Sequence, residues 1–268
     1  MRKGPKRINK ILKIAQLAVM EAGDFALEEF TKIHTYKEKP VTKDIVTAVD
    51  IECERRIVEI LRKNFPTHTL LTEERLLPKR LKKYAWWVDP LDGSISYVFN
   101  LPYWGVCVAL IHNGKPVLGV SYFPQTRSLY WAIKGGGAYL NYKRIIVSDA
   151  PGLVDSVIGI DYGYRGEREV GVKDVTKKIG DRVKYLVTYA CTAGTIALVA
   201  EGKLAGYIHH MARRFDLAAG ALLVTEAGGG ISDVNGRPID WTKTSTVNFV
   251  CTNGKIHQEL IETLQKGR

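Results

Sequence analysis

Two carboxylates three residues apart, Asp89 and Asp92, close the run Trp86-Trp87-Val88-Asp89-Pro90-Leu91-Asp92-Gly93-Ser94. An apolar segment ending in two acids leaves them at the edge of a core. Carboxylates are costly there unless something positive neutralises them. A small divalent cation meets that need, because Mg²⁺ takes oxygen ligands and usually only one or two carboxylates directly. The same run also reads as a turn, since Asp-Pro and Asp-Gly are common turn dipeptides. By itself it leaves both readings open.

Other acids stand at similar places. Asp44 and Asp50 flank Ile45-Val46-Thr47-Ala48-Val49, Glu73-Glu74 follow Thr69-Leu70-Leu71-Thr72, and Asp216 follows Arg213-Arg214-Phe215 at the start of an apolar segment. Each has a capping or turn explanation, and an acid near a helix start is favoured for that reason alone. Gathered together they would form an acidic pocket in a basic protein. Oxygen donors without a His or Cys cluster point to Mg²⁺ or Mn²⁺ rather than zinc. Two such ions about 3.5–4 Å apart suit in-line attack of water on a phosphomonoester.

These residues need elements to hold them. Apolar side chains at Ile8, Ile11, Leu12, Ala15, Ala18, Ala22, Phe25, Ala26 and Phe30 have helical spacing. Residues 35–43 form a polar, lysine-rich stretch containing Pro40 that reads as an exposed, mobile loop. Residues 51–64 read as a helix with Asp50 at its approach. Residues 69–72 and 85–88 are strand candidates that deliver Glu73 and Asp89. Strands over 104–111, 117–123, 128–133 and 138–141 are joined by turn sequences, with Asn113-Gly114 the clearest hairpin signal. They form an antiparallel meander. Beyond about Val147 the pattern predicts strands at 157–160, 183–189, 206–209, 231–234 and 249–252. It predicts helices at 169–180, from Thr195, at 217–228 and at 256–265. Helices mixed with antiparallel strands argue an α+β fold in layers, not a βαβ series. The division expected is a lobe over residues 1–147 with most of the acids and a lobe over 148–268 with Asp216, in one compact unit. Gly135-Gly136-Gly137 and Gly228-Gly229-Gly230 lack the setting of a nucleotide fingerprint.

The 268 residues, 46% hydrophobic and 25% charged, suffice for a large core. No run of about 18 apolar residues marks a membrane span, and the basic N-terminus lacks a signal-peptide core, so a cytoplasmic protein is expected. The four cysteines, Cys53, Cys107, Cys191 and Cys251, lack zinc spacing and are expected as buried thiols. A net charge of +11 admits nucleic-acid binding. The lysines are scattered, however, and the same field would draw in an anionic small substrate.

The ordered motifs Asp-x-Val-Thr-x-x-Asp (44–50), Glu-Glu (73–74), Asp-Pro-Leu-Asp-Gly-Ser (89–94) and Phe-Asp-Leu-Ala-Ala-Gly (215–220), with Thr225-Glu226-Ala227-Gly228-Gly229, resemble the inositol monophosphatase family over nearly the full length. This metal-dependent, lithium-sensitive superfamily also holds fructose-1,6-bisphosphatases. The resemblance implies a layered α/β/α/β/α sandwich and a phosphoric monoester hydrolase using two or three Mg²⁺, with Mn²⁺ an alternative. It implies that Glu73, Asp89 and the Leu91 carbonyl hold one metal and that Asp89, Asp92 and Asp216 hold a second. Asp50 and Ser94 would orient and deprotonate the attacking water, with Thr47 hydrogen-bonding around them. Lys39 and Asp44 would lie in a mobile loop, and Glu74 would support rather than ligate. A homodimer is also implied.

Departures from the family pattern bear on substrate. Ser94 stands where Thr is common, Phe215 where Trp is usual, and His209 where inositol-directed members carry a Glu. Arg213 and Arg214 are placed to receive a second phosphate. Gly93, Ser94, His209, Arg213, Arg214 and Asp216 are thus the expected substrate contacts. The expected substrates are small phosphorylated sugars or cyclitols, inositol-1-phosphate and fructose-1,6-bisphosphate together. A 3′-phosphoadenosine-type nucleotide phosphatase is the nearest alternative, although the larger insertions of that type are not seen. An RNA- or transcription-associated binding role is an alternative of a different class.

Overall fold

A computed structural model describes residues 4–32, 35–38, 45–73, 82–163, 169, 172–243 and 246–266. The first helix, α1 (Gly4–Glu29), buries the face set by Leu12, Ala15, Ala18, Val19, Ala22 and Ala26. It packs against α2 (Ala48–Asn64). Two short strands, β1 (Tyr36–Glu38) and β2 (Ile45–Thr47), precede α2 and pair antiparallel. The sequence suggests a loop over 35–43. Residues 36–38 instead make an exposed strand, because backbone pairing to β2 needs no buried side chains.

Seven strands form the first sheet: β3 (Thr69–Thr72), β4 (Tyr84–Asp92), β5 (Gly105–His112), β6 (Lys115–Phe123), β7 (Ser128–Ile133), β8 (Gly137–Leu140) and β9 (Lys143–Ile145), in that spatial order. β3 and β4 are parallel, and every later neighbour is antiparallel. The meander is therefore present. Asn113 (φ 49) and Gly114 (φ 70) both take left-handed backbone at its first hairpin, as a two-residue turn of the type-I′ kind requires. The short helix α3 (Ser94–Val98) lies between β4 and β5.

The second sheet holds β10 (Val157–Asp161), β11 (Tyr185–Val187), β12 (Gly206–Ala212), β13 (Gly230–Asp233) and β14 (Val247–Thr252), ordered β11-β10-β12-β14-β13. Between the sheets run α4 (Thr192–Ala200) and α5 (Arg214–Glu226), and α6 (His257–Gln265) covers the far face. A helix was expected over 169–180. Its described part is a wide π-type turn (Val172–Thr176) leading into Lys177–Ile179 and a 3₁₀ turn (Gly180–Arg182). Val172, Val175, Thr176 and Gly180 are weak helix formers.

Alternation along β4 explains the layers. Trp86 and Val88 face the core shared with α1 and α2, while Ala85 and Trp87 face the core shared with Phe215, Ala218 and Ala219 of α5. With both faces covered, β4 reads as a nearly continuous apolar run. A third core joins α4 and α5 to Tyr207, Phe249 and Cys251 of the second sheet. The result is helix pair, sheet, helix pair, sheet, helix: an α+β sandwich of five layers. All four cysteines are buried free thiols.

Helix α5 sits on the first sheet with no room to spare. A Cβ on Gly119 of β6 would lie 2.7 Å from the Ala219 carbonyl oxygen and 2.8 Å from its Cα. Backbone cannot give way as a side chain can. We expect Gly119→Ala to destabilise the protein by about 2 kcal/mol, read as a lower urea midpoint in equilibrium unfolding; an unchanged midpoint would refute this packing.

Candidate active site at the junction of β4, α2 and α5

The carbonyl end of β4 departs from regular pairing. Its register with β5 shifts between Asp89 and Asp92, so Pro90-Leu91 form a bulge that re-aims the flanking side chains. The Leu91 N–H donates to Asp89 Oδ1 at 3.2 Å, which tightens the turn. Gly93 follows with φ 82, and a Cβ there would meet the Tyr103 carbonyl oxygen at 2.6 Å. Only glycine suits that position. Helix α3 then starts at Ser94.

Asp50 lies at the first turn of α2, which begins three residues earlier than the apolar spacing suggests. Thr47 sets that start through a capping box: its Oγ1 accepts from the Val49 and Asp50 N–H groups, and Asp50 Oδ2 accepts from the Thr47 N–H. The Thr47 hydroxyl donates to Asp50 Oδ2 at 2.5 Å. The Ser94 hydroxyl reaches Asp50 Oδ1 and the Leu91 carbonyl oxygen, each at 2.9 Å. Thr47, Asp50, Ser94 and Leu91 thus form one chain of contacts that leads to the Asp89 turn. Asp50 is almost wholly buried.

Glu73, Asp89 and Asp216 converge from β3, β4 and α5. One carboxylate oxygen from each lies within 4.8 Å of the others. The donor set is all oxygen and carries three negative charges in a buried place, which fits a hard divalent cation completed by water. The field reaches further: burial first, then the charges of Asp89, Asp92 and Asp216, push the Cys107 thiol well above its usual pKa.

Asp92 stands beside this trio but outside it. Its Oδ1 accepts from the Thr192 N–H at 3.1 Å, and its Oδ2 accepts from the Ala193 N–H and the Cys191 thiol, both at 2.8 Å. The carboxylate therefore caps α4 from about 100 residues away. Burial pushes its pKa up, and these hydrogen bonds pull against that shift. Sequence reasoning missed Cys191, Thr192 and Ala193. The sequence suggests a helix only from Thr195, whereas α4 starts at Thr192 with no cap from the Cys191 side chain, so its first N–H groups take an acceptor from elsewhere.

The expected substrate residues divide. Arg213 donates through Nη1 to Glu73 Oε1, a pair also missed in the sequence, and its guanidinium lies 5.9 Å from the Phe215 ring centre. Arg214 is buried and donates to the Thr246 carbonyl at 3.1 Å. His209 is buried in β12, stacked on Phe249, with Nδ1 2.9 Å from the His210 carbonyl oxygen. Lys39, Asp44 and Glu74 lie outside the described residues.

Comparison with known proteins decides the family: the model of the inositol monophosphatase family matches residues 8–268. The chain belongs to that family. It is 30% identical to the fructose-1,6-bisphosphatase/inositol-1-monophosphatase of Aquifex aeolicus, over 97% of each chain. It is 31% identical to the Nus factor SuhB of Pasteurella multocida, over 96% of this chain and 97% of the relative. Among solved structures, Thermotoga maritima IMPase superposes with a TM-score of 0.84 at 27% identity, over 98% of each chain. Inositol monophosphatases are metal-dependent phosphatases, and this chain is a phosphoric monoester hydrolase of that family. Among the described residues no helix is long and apolar enough to cross a membrane.

Burial holds the His209 imidazole neutral and lowers its pKa from 6.5 to about 4. The unfolded chain therefore binds a proton at this position first as pH falls. Stability should be level above about pH 6.5 and fall between there and pH 4, by roughly 3 kcal/mol from this group. Urea unfolding across that range should show the slope, and His209→Gln should flatten it; an equal slope in the variant would refute the assignment.

Proposed function

We propose that this protein hydrolyses phosphomonoesters of small polyols and sugars, inositol-1-phosphate and fructose-1,6-bisphosphate among them, with Mg²⁺ or Mn²⁺ held by Glu73, Asp89 and Asp216. The observation that carries the reading is the contact chain Thr47–Asp50–Ser94–Leu91, which ties a buried carboxylate to the acidic turn. When bound, the cations supply charge neutralisation at phosphate and acidify a water. Two or three ions are expected, with the Leu91 carbonyl and Asp92 as further ligands. Asp92 has lone pairs beyond those its N–H and thiol donors use.

The chain's own residues move and hold the proton. Asp50 is the base. Its Oδ2 is fixed by the Thr47 N–H and hydroxyl, which leaves Oδ1 to the Ser94 hydroxyl. That hydroxyl has one hydrogen and two acceptors at equal distance, Asp50 Oδ1 and the Leu91 oxygen. If Leu91 serves a cation, the hydrogen turns to Asp50, and Ser94 Oγ can accept from water. A proton then passes from water through Ser94 to Asp50. The Gly93 and Ser94 N–H groups are offered to a phosphate oxygen.

The similarity to enzymes named for both substrates supports dual specificity. His209, where a sugar-binding Glu is common, weakens strict inositol selection. A homodimer in the cytoplasm completes the reading. An RNA- or transcription-associated binding role is a second reading, supported by the similarity to a protein named a Nus factor and, within this chain, by the net charge of +11 alone.

Asp89→Asn and Asp216→Asn should each lower kcat/KM for phosphate release about a thousand-fold or more with the circular dichroism unchanged. Turnover near the wild-type rate would remove the site. A kcat/KM panel of inositol-1-phosphate, fructose-1,6-bisphosphate, glycerol phosphates and phosphoadenosine should place the first two highest. Phosphoadenosine first would give the protein to the nucleotide phosphatases. Salt-dependent RNA retention that survives Asp89→Asn would favour the second reading.

A further inference from the structure

Arg213 and Arg214 sit at the wrong end of a helix. They open α5, where the macrodipole is positive and basic side chains are disfavoured. Arg214 is accounted for by its burial and its bond to the Thr246 carbonyl. Arg213 lies instead against Glu73, and the two side chains are only 12% and 9% exposed. Glu73 is also one of the three carboxylates whose oxygens lie within 4.8 Å of one another. A guanidinium is therefore bonded to one member of the acidic trio.

Two cations cannot share this space on equal terms. A guanidinium bonded to Glu73 occupies carboxylate lone pairs that a divalent cation would take. It also places a positive charge within a few ångströms of that cation, in surroundings that screen poorly. In the absence of metal, however, the same guanidinium offsets part of the negative charge of Glu73, Asp89 and Asp216. Arginine suits the task, because it stays charged across the working pH range. Its long side chain can swing while its backbone stays at the α5 boundary.

We propose that Arg213 is the built-in counter-cation of Glu73 in the metal-free site, and that a divalent cation binding at Glu73, Asp89 and Asp216 displaces it. Metal binding and release of the guanidinium are then one exchange. The freed Arg213 stays tethered at the start of α5, next to Phe215, with its charge available to an anionic substrate. The proposal rests on reading the trio as a metal site. It makes Arg213 a positioning residue that sets metal affinity.

Isothermal titration of Mn²⁺ into the metal-free full-length protein tests it. Arg213→Met should tighten Mn²⁺ binding about ten-fold or more, since the competitor is gone. In a Glu73→Gln background the same substitution should change affinity less than two-fold, because Arg213 acts through Glu73. Unchanged or weaker binding in Arg213→Met would overturn the proposal. So would an equal gain in the Glu73→Gln background, which would mark a general field effect. If Arg213→Met does not fold, Arg213→Lys decides. It keeps the charge and can keep a bond to Glu73, so Mn²⁺ affinity within about two-fold of wild type is expected, and a ten-fold gain would overturn the exchange. Asp89→Asn separates the two claims: wild-type Mn²⁺ affinity in that variant would defeat the metal-site reading itself, whereas its loss leaves only the exchange to be judged.

Discussion

Buried negative charge is the constraint around which this fold is arranged. Glu73, Asp89, Asp92 and Asp216 are brought together by β3, the bulged end of β4 and the first turn of α5. Uncompensated carboxylates in such a place would push their pKa values up or pull the elements apart. The structure answers three of them with a specific partner. Asp92 receives two backbone N–H groups and a thiol, Glu73 receives a guanidinium, and Asp89 turns back to the Leu91 N–H. The charge that remains is what the proposed divalent cation would neutralise.

The same contacts join the two halves of the chain. The seven-stranded sheet ends with Ile145 and the five-stranded sheet begins with Val157. Yet Asp92 caps α4, Glu73 holds Arg213, and Glu226 at the far end of α5 accepts from the Gly135 and Gly137 N–H groups. Helix α5 thus carries Asp216 at its start and an anchor at its end. Its close approach at Gly119 fixes it against the first sheet. A site built from both halves is completed when they pack, and its geometry is as rigid as that packing.

Much of this was legible in the sequence because it is local. The Asn113-Gly114 hairpin, the amphipathic spacing of α1, the apolar run of β4 and the placing of Asp50 near the start of α2 each depend on neighbours within a few positions. Side chains at the ends of such segments could be named as site candidates for the same reason. The long-range pairings were not legible. The bond from Cys191 to Asp92 and the ion pair of Arg213 with Glu73 span 99 and 140 residues. No periodicity encodes them. The two arginines ahead of Asp216 marked a place where a partner was owed, without saying which. His209 is expected as a substrate contact from its position; its stacking on Phe249, opposite it in the sheet register, was not legible in the sequence.

The central claim is that these carboxylates exist to hold a divalent cation between β4 and α5. Crystals grown with Mn²⁺ and measured for its anomalous scattering test it most directly. The account predicts a peak bounded by Glu73, Asp89 and Asp216, with the Leu91 carbonyl and Asp92 at its margin. An empty trio, with manganese elsewhere or nowhere on the chain, would contradict it.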